Sequence, residues 1–256
     1  MHAKPYHPVV LGLIAHDSAK RILDAPCGQG WLGHALVAAQ ASSTSPFTAS
    51  PFVLDGAGLY EFPAANSGYR HMREHDLNQP LPPMPEAYDT VVSGEAIHLL
   101  ASPGVMIESF RAALKPGGRV IITTPNSWAP NSRLRFLRRG FHSGFASSID
   151  KTIGNGKDYV TYFPFSFDQL HVLLRHYGFQ DITLHPVVES KAVTIFHKML
   201  AYGSRRYCRN QAKRASSEAV RRYWHDAGSN AAQHGRWLVV SARSPDPERL
   251  ARLKPA

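Results

Sequence analysis

The chain has 256 residues, of which 43% are hydrophobic, 10% aromatic and 19% charged. That length and composition suit one large domain or two small ones and exclude wholesale disorder, collagen and a coiled coil. Charge is less balanced: 29 Lys and Arg against 19 Asp and Glu leave a net +10, which favours anionic partners such as nucleic acid, lipid head groups or acidic glycans. The excess is one-sided. Met1 to Asn126 carries 8 basic and 10 acidic residues, and the remainder carries 21 and 9.

Two cysteines, Cys27 and Cys208, cannot make a framework of disulfides and point to a reducing compartment. The apolar run Val9 to Ala15 is too short to span a bilayer, and no targeting segment is read. A cytoplasmic location is therefore expected.

In chain order, Pro8 to Ala19 has helical apolar spacing, and Arg21 to Pro26 is a compact apolar strand. Cys27-Gly28-Gln29-Gly30 then breaks the pattern before a helix from Trp31 to Gln40. Ala41 to Pro51 reads as an exposed loop, followed by a short strand, Phe52 to Asp55, that ends in an acid. Strands are predicted over Tyr69 to Asp76, Tyr88 to Ser93 and Arg119 to Thr124, with a helix from Val105 to Leu114 stopped by Lys115-Pro116-Gly117-Gly118. A helix over Ser166 to Tyr177 and strands over Gln180 to Val188 and Arg236 to Ala242 complete the series. Strands alternating with helix-length segments predict an α/β fold, a mostly parallel sheet with helices on both faces.

In such a sheet the ligand crevice lies at the carboxyl ends of the strands. Leu23 to Gly30 (LDAPCGQG) falls there, and Gly28 and Gly30 let the backbone turn sharply and approach a small molecule.

The run Asp24 to Gly30 resembles the first motif of the class I S-adenosylmethionine-dependent methyltransferases, an acid followed by a small residue and GxG, with Pro26 where many members have glycine. Tyr88 to Glu95 (YDTVVSGE) is similar to the family's fourth strand, and Leu114 to Asn126 (LKPGGRVIITTPN) to its fifth. The resemblance implies a Rossmann-like seven-stranded sheet and S-adenosylmethionine as cofactor. It also implies cofactor contacts at Asp24, Pro26, Cys27, Gly28, Gly30 and Ser93. Asp55 matches the acid that binds the ribose, with Glu61 as the fallback because the interval from Asp24 is long. Asp76 matches the acid at the adenine amino group, with Leu77 beside the ring. Methyl transfer from a sulfonium needs alignment rather than a metal or a covalent nucleophile. A hydroxyl acceptor would be helped by a general base, and His98, His142, Asp158 and Tyr159, which follow the fourth or fifth strand, are the candidates.

His71-Met72-Arg73-Glu74-His75 spells a zinc-peptidase pattern, but that motif requires a helix where the fold calls for a strand. Cys27 reads as the small residue of a tight turn, with a reactive thiol as the alternative.

A single methyltransferase domain over 1–256 is expected, with a cofactor-binding core (20–126), a lid and acceptor insertion (127–165) and a basic helical insertion (191–235). In the last, Ala192, Val193, Ile195, Phe196, Met199, Leu200 and Gly203 line one side of a helix followed by a run of arginines. This side either packs on the sheet domain or lies on an anionic membrane surface, with nucleic acid as a further alternative partner. Pro125 to Leu137 (PNSWAPNSRLRFL) is similar to a bacterial subgroup of these enzymes associated with cell-surface polysaccharide and lipid-linked sugars. The expected activity is O-methylation of a glycan, lipid-linked or other small-molecule acceptor by an enzyme that is cytoplasmic or peripheral at the inner membrane face. A nucleic-acid methyltransferase and a non-catalytic binding protein with the same fold are the alternatives.

Overall fold

The computed structural model describes residues 4–42, 52–59, 68–84, 87–142, 160–189 and 194–245. Seven strands form one sheet: β1 (Arg21–Asp24), β2 (Val53–Gly58), β3 (His71–Glu74), β4 (Tyr88–Gly94), β5 (Leu114–Pro125), β6 (Gln180–His185) and β7 (Trp237–Arg243). Their order is β3-β2-β1-β4-β5-β7-β6. The first five run parallel, and β7 is antiparallel to both β5 and β6. The expected mostly parallel α/β architecture is thereby borne out.

The helices are α1 (His7–His16), α2 (Trp31–Ala41), α3 (Pro103–Ala113), α4 (Pro130–Arg139), α5 (Phe167–His176), α6 (Ile195–Lys213), α7 (Glu218–Ala227) and α8 (Asn230–His234). Neighbouring residues of a strand point to opposite faces, so the apolar runs of β1, β4 and β5 supply two core layers at once. Ile22, Val92 and Ile121 pack against Val10 and Ile14 of α1 and Leu32 and Leu36 of α2. Leu23, Val91, Val120 and Ile122 face the other layer, with Met106 and Phe110 of α3 and Leu170 and Leu174 of α5. The start of α5 is fixed by a reciprocal cap in which Ser166 N donates to Gln169 Oε1 at 2.8 Å and Gln169 N donates to Ser166 Oγ at 3.4 Å.

Three expectations change. β2 does not end at Asp55; it continues through Gly56-Ala57-Gly58, in register with β1 and β3. These glycines serve close strand packing instead of a turn: a Cβ on Gly56 would lie 2.9 Å from Tyr69 Cδ1 and 3.0 Å from Cys27 Cβ. The segment after β5 contains α4, which starts at Pro130 and is closed by Gly140 at φ 77°.

The basic insertion is three helices, and it packs by a different side from the one its large apolar residues suggest. Ala201, Cys208 and Ala212 of α6 are buried, and Cys208 joins Ala227 and Ala232 in the core layer beneath α3 and α5. Ile195, Phe196, Met199 and Tyr202 stay exposed, Ile195 at 78% and Met199 at 69%. Small residues win the interface because they allow close approach; a Cβ on Gly228 would sit 3.0 Å from Cys208 Cβ.

Candidate active site

The glycine turn stands at the carboxyl end of β1, between β2 and β4. Ala25 N donates to Val92 O at 2.9 Å, Cys27 N to Ala57 O at 2.9 Å and Gly30 N to Cys27 O at 2.8 Å, which ties the turn to both neighbours. Gly28 and Gly30 have φ of 47° and 75°, a backbone region that side chains disfavour. No described atom lies within 4 Å of where a Cβ on Gly28 would stand, so the backbone faces open space. Cys27 is buried, and burial pushes its thiol up to about 11. It is therefore a thiol at neutral pH and fills the turn as a small residue.

Asp24 is fully buried. Its Oδ2 accepts from Tyr69 Oη at 2.5 Å, while Oδ1 is buried without a hydrogen-bond partner. Burial raises its pKa to about 7 against the lowering effect of the Tyr69 bond. Pro26 follows a cis peptide bond. Asp76 sits just past β3, its Oδ1 accepting from Asn78 N and Asn78 Nδ2, both at 2.9 Å. Leu77 is buried in the core layer on the α3 side.

Two matched residues have other duties. Asp55 lies within β2, opposite Leu23, and its carboxylate accepts from Arg70 Nε and Nη2 at 3.1 and 2.8 Å and from Tyr88 Oη at 2.9 Å. It is an internal tie between β2 and β4. The Ser93 hydroxyl is buried and points to Met106 Sδ at 3.7 Å, into the core under α3. Glu61, Asp158 and Tyr159 lie outside the described residues, as do Ala192 and Val193. His71 to Glu74 form the exposed strand β3, which lacks the helical spacing the zinc pattern needs. Among the described residues no group of three or more His, Cys, Asp or Glu is placed to hold a metal ion.

A cluster that the sequence reading missed bridges the glycine turn to the next strands. Glu95, just past β4 at φ 53°, accepts from Tyr6 Oη at 2.5 Å and pairs with Lys4 Nζ at 3.3 Å. His7 stacks on Trp31 at 3.9 Å between centroids, and the Tyr6 ring stands 6.4 Å from Trp31 and 5.4 Å from Trp237. No motif marks Tyr6, because it reaches Glu95 across 89 residues of chain.

Beyond Trp237 opens a cavity of about 600 Å³. Its wall combines His98 after β4, Pro125 at the end of β5 with Asn126 and Ser127, Ser132 and Arg135 of α4, His197 of α6, His234 of α8, and Glu189, Arg236 and Trp237. His98 is therefore the one described base candidate at this cavity. Its Nδ1 lies 3.3 Å from Thr124 Oγ1, and burial lowers its pKa to about 4, with Glu95 opposing. His142 is not in the wall; it stacks on Phe136 at 4.7 Å and meets Ser132 Oγ at 3.2 Å.

The methyltransferase domain family matches residues 6–184. The chain belongs to this family. The methyltransferase is 30% identical over 130 residues to the ubiquinone biosynthesis O-methyltransferase of Xylella fastidiosa (strain 9a5c), a match covering 48% of this chain and 51% of that protein. It thus spans about half the length of the curated relatives it matches. Among solved structures it is similar to human N-acetylserotonin methyltransferase in complex with S-adenosylmethionine. That likeness has 15% identity and a TM-score of 0.51, and it covers 94% of this chain and 52% of that one. An O-methyltransferase family protein from Burkholderia thailandensis aligns with 13% identity and a TM-score of 0.50 over 95% of this chain and 56% of that one. These distant likenesses show the fold, and the family match bears out the expected class I S-adenosylmethionine-dependent methyltransferase.

The residues present fit that cofactor. Gly28 leaves a cradle that a side chain would fill, and the buried Oδ1 of Asp24 is an acceptor without a donor.

Proposed function

We propose that this methyltransferase transfers a methyl group from S-adenosylmethionine to an oxygen of a small, lipid-linked or glycan-bearing acceptor held in the cavity beside His98. The observation that carries the reading is the position of that cavity: His98 after β4 and Pro125 to Ser127 at the end of β5 line it, on the same carboxyl edge of the sheet as the glycine turn after β1. A donor side and an acceptor side thus meet at the ends of β4 and β5.

When bound, the sulfonium supplies a methyl group that is already an activated electrophile. Gly28, Gly30, Cys27, Pro26 and Asp24 would hold it on the donor side, with Asp76 and Leu77 beside β3. The protein's own task is alignment and exclusion of water. Trp237, α4, Thr161 and Pro164 wall the acceptor, and the Tyr6 and Trp31 rings pack beside Trp237 and one another. The imidazole of His98, neutral above about pH 4, is available to take a hydroxyl proton. The O-methyltransferase activity named for the Xylella relative supports oxygen as the methylated atom.

The membrane part of the reading is supported by one surface. Ile195, Phe196, Met199 and Tyr202 of α6 and Phe136 and Leu137 of α4 are exposed, with Lys198, Arg138 and Arg139 also exposed on the same two helices. An amphipathic basic face of this kind suits the interface of an anionic bilayer. Among the described residues no helix is long and apolar enough to cross a membrane.

Calorimetry with S-adenosylhomocysteine tests the donor side, and absence of binding to folded protein would end the reading. Transfer of labelled methyl groups to cell extract, followed by mass analysis of the products, identifies the acceptor. Flotation with anionic and neutral liposomes tests the membrane: anionic vesicles should carry the protein up, and Ile195→Asp with Met199→Asp should abolish this. Equal flotation of the variant would discard the membrane contact.

A further inference from the structure

Beside the acceptor cavity lies a buried cation with no described counter-ion. Arg133 of α4 is 6% exposed. Its guanidinium lies over the Trp128 ring at 5.0 Å, and Nη1 donates to Leu200 O at 3.4 Å. Nε and Nη2 are buried with no hydrogen-bond partner. Burial of a cation without a counter-ion is strongly unfavourable. Surface arginines are solvated; this one is not.

The adjoining wall repeats the pattern. Both ring nitrogens of His234 are buried without a partner. Burial holds its pKa down, and the charges of Arg205, Arg133 and Lys198 lower it further. Arg135 and Arg236 also line the cavity. The acid in that wall, Glu189, accepts from the backbone N–H of Arg236 at 2.5 Å.

We infer that the acceptor cavity contains a phosphate subsite, formed by Arg135, His197, His234 and Arg236 over the buried charge of Arg133. It rests on the reading of this cavity as the acceptor site and names the chemical class of that acceptor, a phosphorylated molecule. A phosphate suits the wall because it brings up to two negative charges and several acceptor oxygens to a cluster of donors. The phosphate can come from a lipid head group or from a soluble phosphate ester, since the exposed apolar residues of α4 and α6 lie on helices that also supply the wall.

The test is calorimetric titration of the full chain at matched ionic strength with inorganic phosphate and with a short-chain phosphatidate below its micelle concentration. Thermal unfolding is followed in parallel. Wild type should bind phosphate saturably, and Arg135→Gln with Arg236→Gln should weaken it at least tenfold. Arg133→Met should melt higher than wild type without phosphate and lose most of the phosphate-induced rise in melting temperature. Tighter binding of the phosphatidate, by tenfold or more, assigns the subsite to a lipid; equal affinity assigns it to a soluble ester. Binding of S-adenosylhomocysteine without binding of either phosphate probe would overturn the subsite and leave the methyltransferase reading standing. Phosphate affinity unchanged in the Arg135/Arg236 variant would likewise overturn it.

Discussion

Tyr69 Oη donates to Asp24 Oδ2 at 2.5 Å, and the ring reaches that position only because Gly56 has no side chain, its absent Cβ lying 2.9 Å from Tyr69 Cδ1. The acid at the end of β1 is thus held by a residue ahead of β3, through a gap in β2. Tyr69→Phe leaves the buried carboxyl group without its hydrogen-bond donor, and a loss of about 1–3 kcal/mol in unfolding free energy is expected. Urea denaturation measures it; unchanged stability would show that the bond contributes nothing.

Gly28→Leu should abolish S-adenosylhomocysteine binding with little change in fold, because its side chain enters open space and meets no described atom. Part of the stability change, roughly 1–2 kcal/mol, comes from the positive φ alone. Calorimetry and circular dichroism separate the two effects. Wild-type affinity in this variant would place the donor elsewhere.

Asp55→Asn distinguishes the internal tie from a ribose contact. The substitution weakens the bonds from Arg70 and Tyr88, so stability should fall by about 1–3 kcal/mol while S-adenosylhomocysteine affinity stays within about twofold, well under the tenfold that 1.4 kcal/mol represents. A large loss of affinity with unchanged stability would restore the ribose role.

His98→Gln should lower kcat by about 10²–10⁴-fold if the imidazole takes the acceptor proton, with a much smaller change in KM. The wild-type rate should stay independent of His98 titration from pH 5 upward, because its folded pKa is about 4. A kcat unaffected by the substitution would remove His98 from the chemistry.

Stability should fall as pH drops from 6.5 towards 4. His98, His171 and His185 are each held down to about 4 by burial, so over that window the unfolded chain binds more protons than the folded one, and acidification favours unfolding. Asp24, raised to about 7 by burial, and Asp168 and Asp226, also raised by burial, work in the opposite direction over an overlapping range. His7 and His234, lowered by burial, act with the three histidines. A net fall in melting temperature of roughly 5 °C between pH 6.5 and 4.5 is expected for a domain of this size. A flat or rising profile across that interval would contradict it.

The sequence by itself determined the succession of strands and helices along the chain, the glycine turn at the end of β1 and the family. Each rests on local features: apolar runs, Gly28 and Gly30 with their freedom of φ, and the Lys115 to Gly118 run ahead of the central part of β5. Counting along the chain could not determine register. Asp55 looked like the end of a strand, and only pairing with β1 and β3 showed three more residues of β2 and a carboxylate already bound.

The partners of Tyr6 and Arg133 were likewise hidden, because Glu95 and Leu200 are 89 and 67 residues away in the chain. On α6 the tertiary structure chose Ala201, Cys208 and Ala212 for the interface and left Ile195 and Met199 outside. Hydrophobicity is a property of the residue, whereas close fit depends on the surface that meets it. For that reason the basic half, whose net +12 is a property of composition alone, acquires a cavity, a buried unpaired guanidinium and an exposed apolar face only in the folded chain.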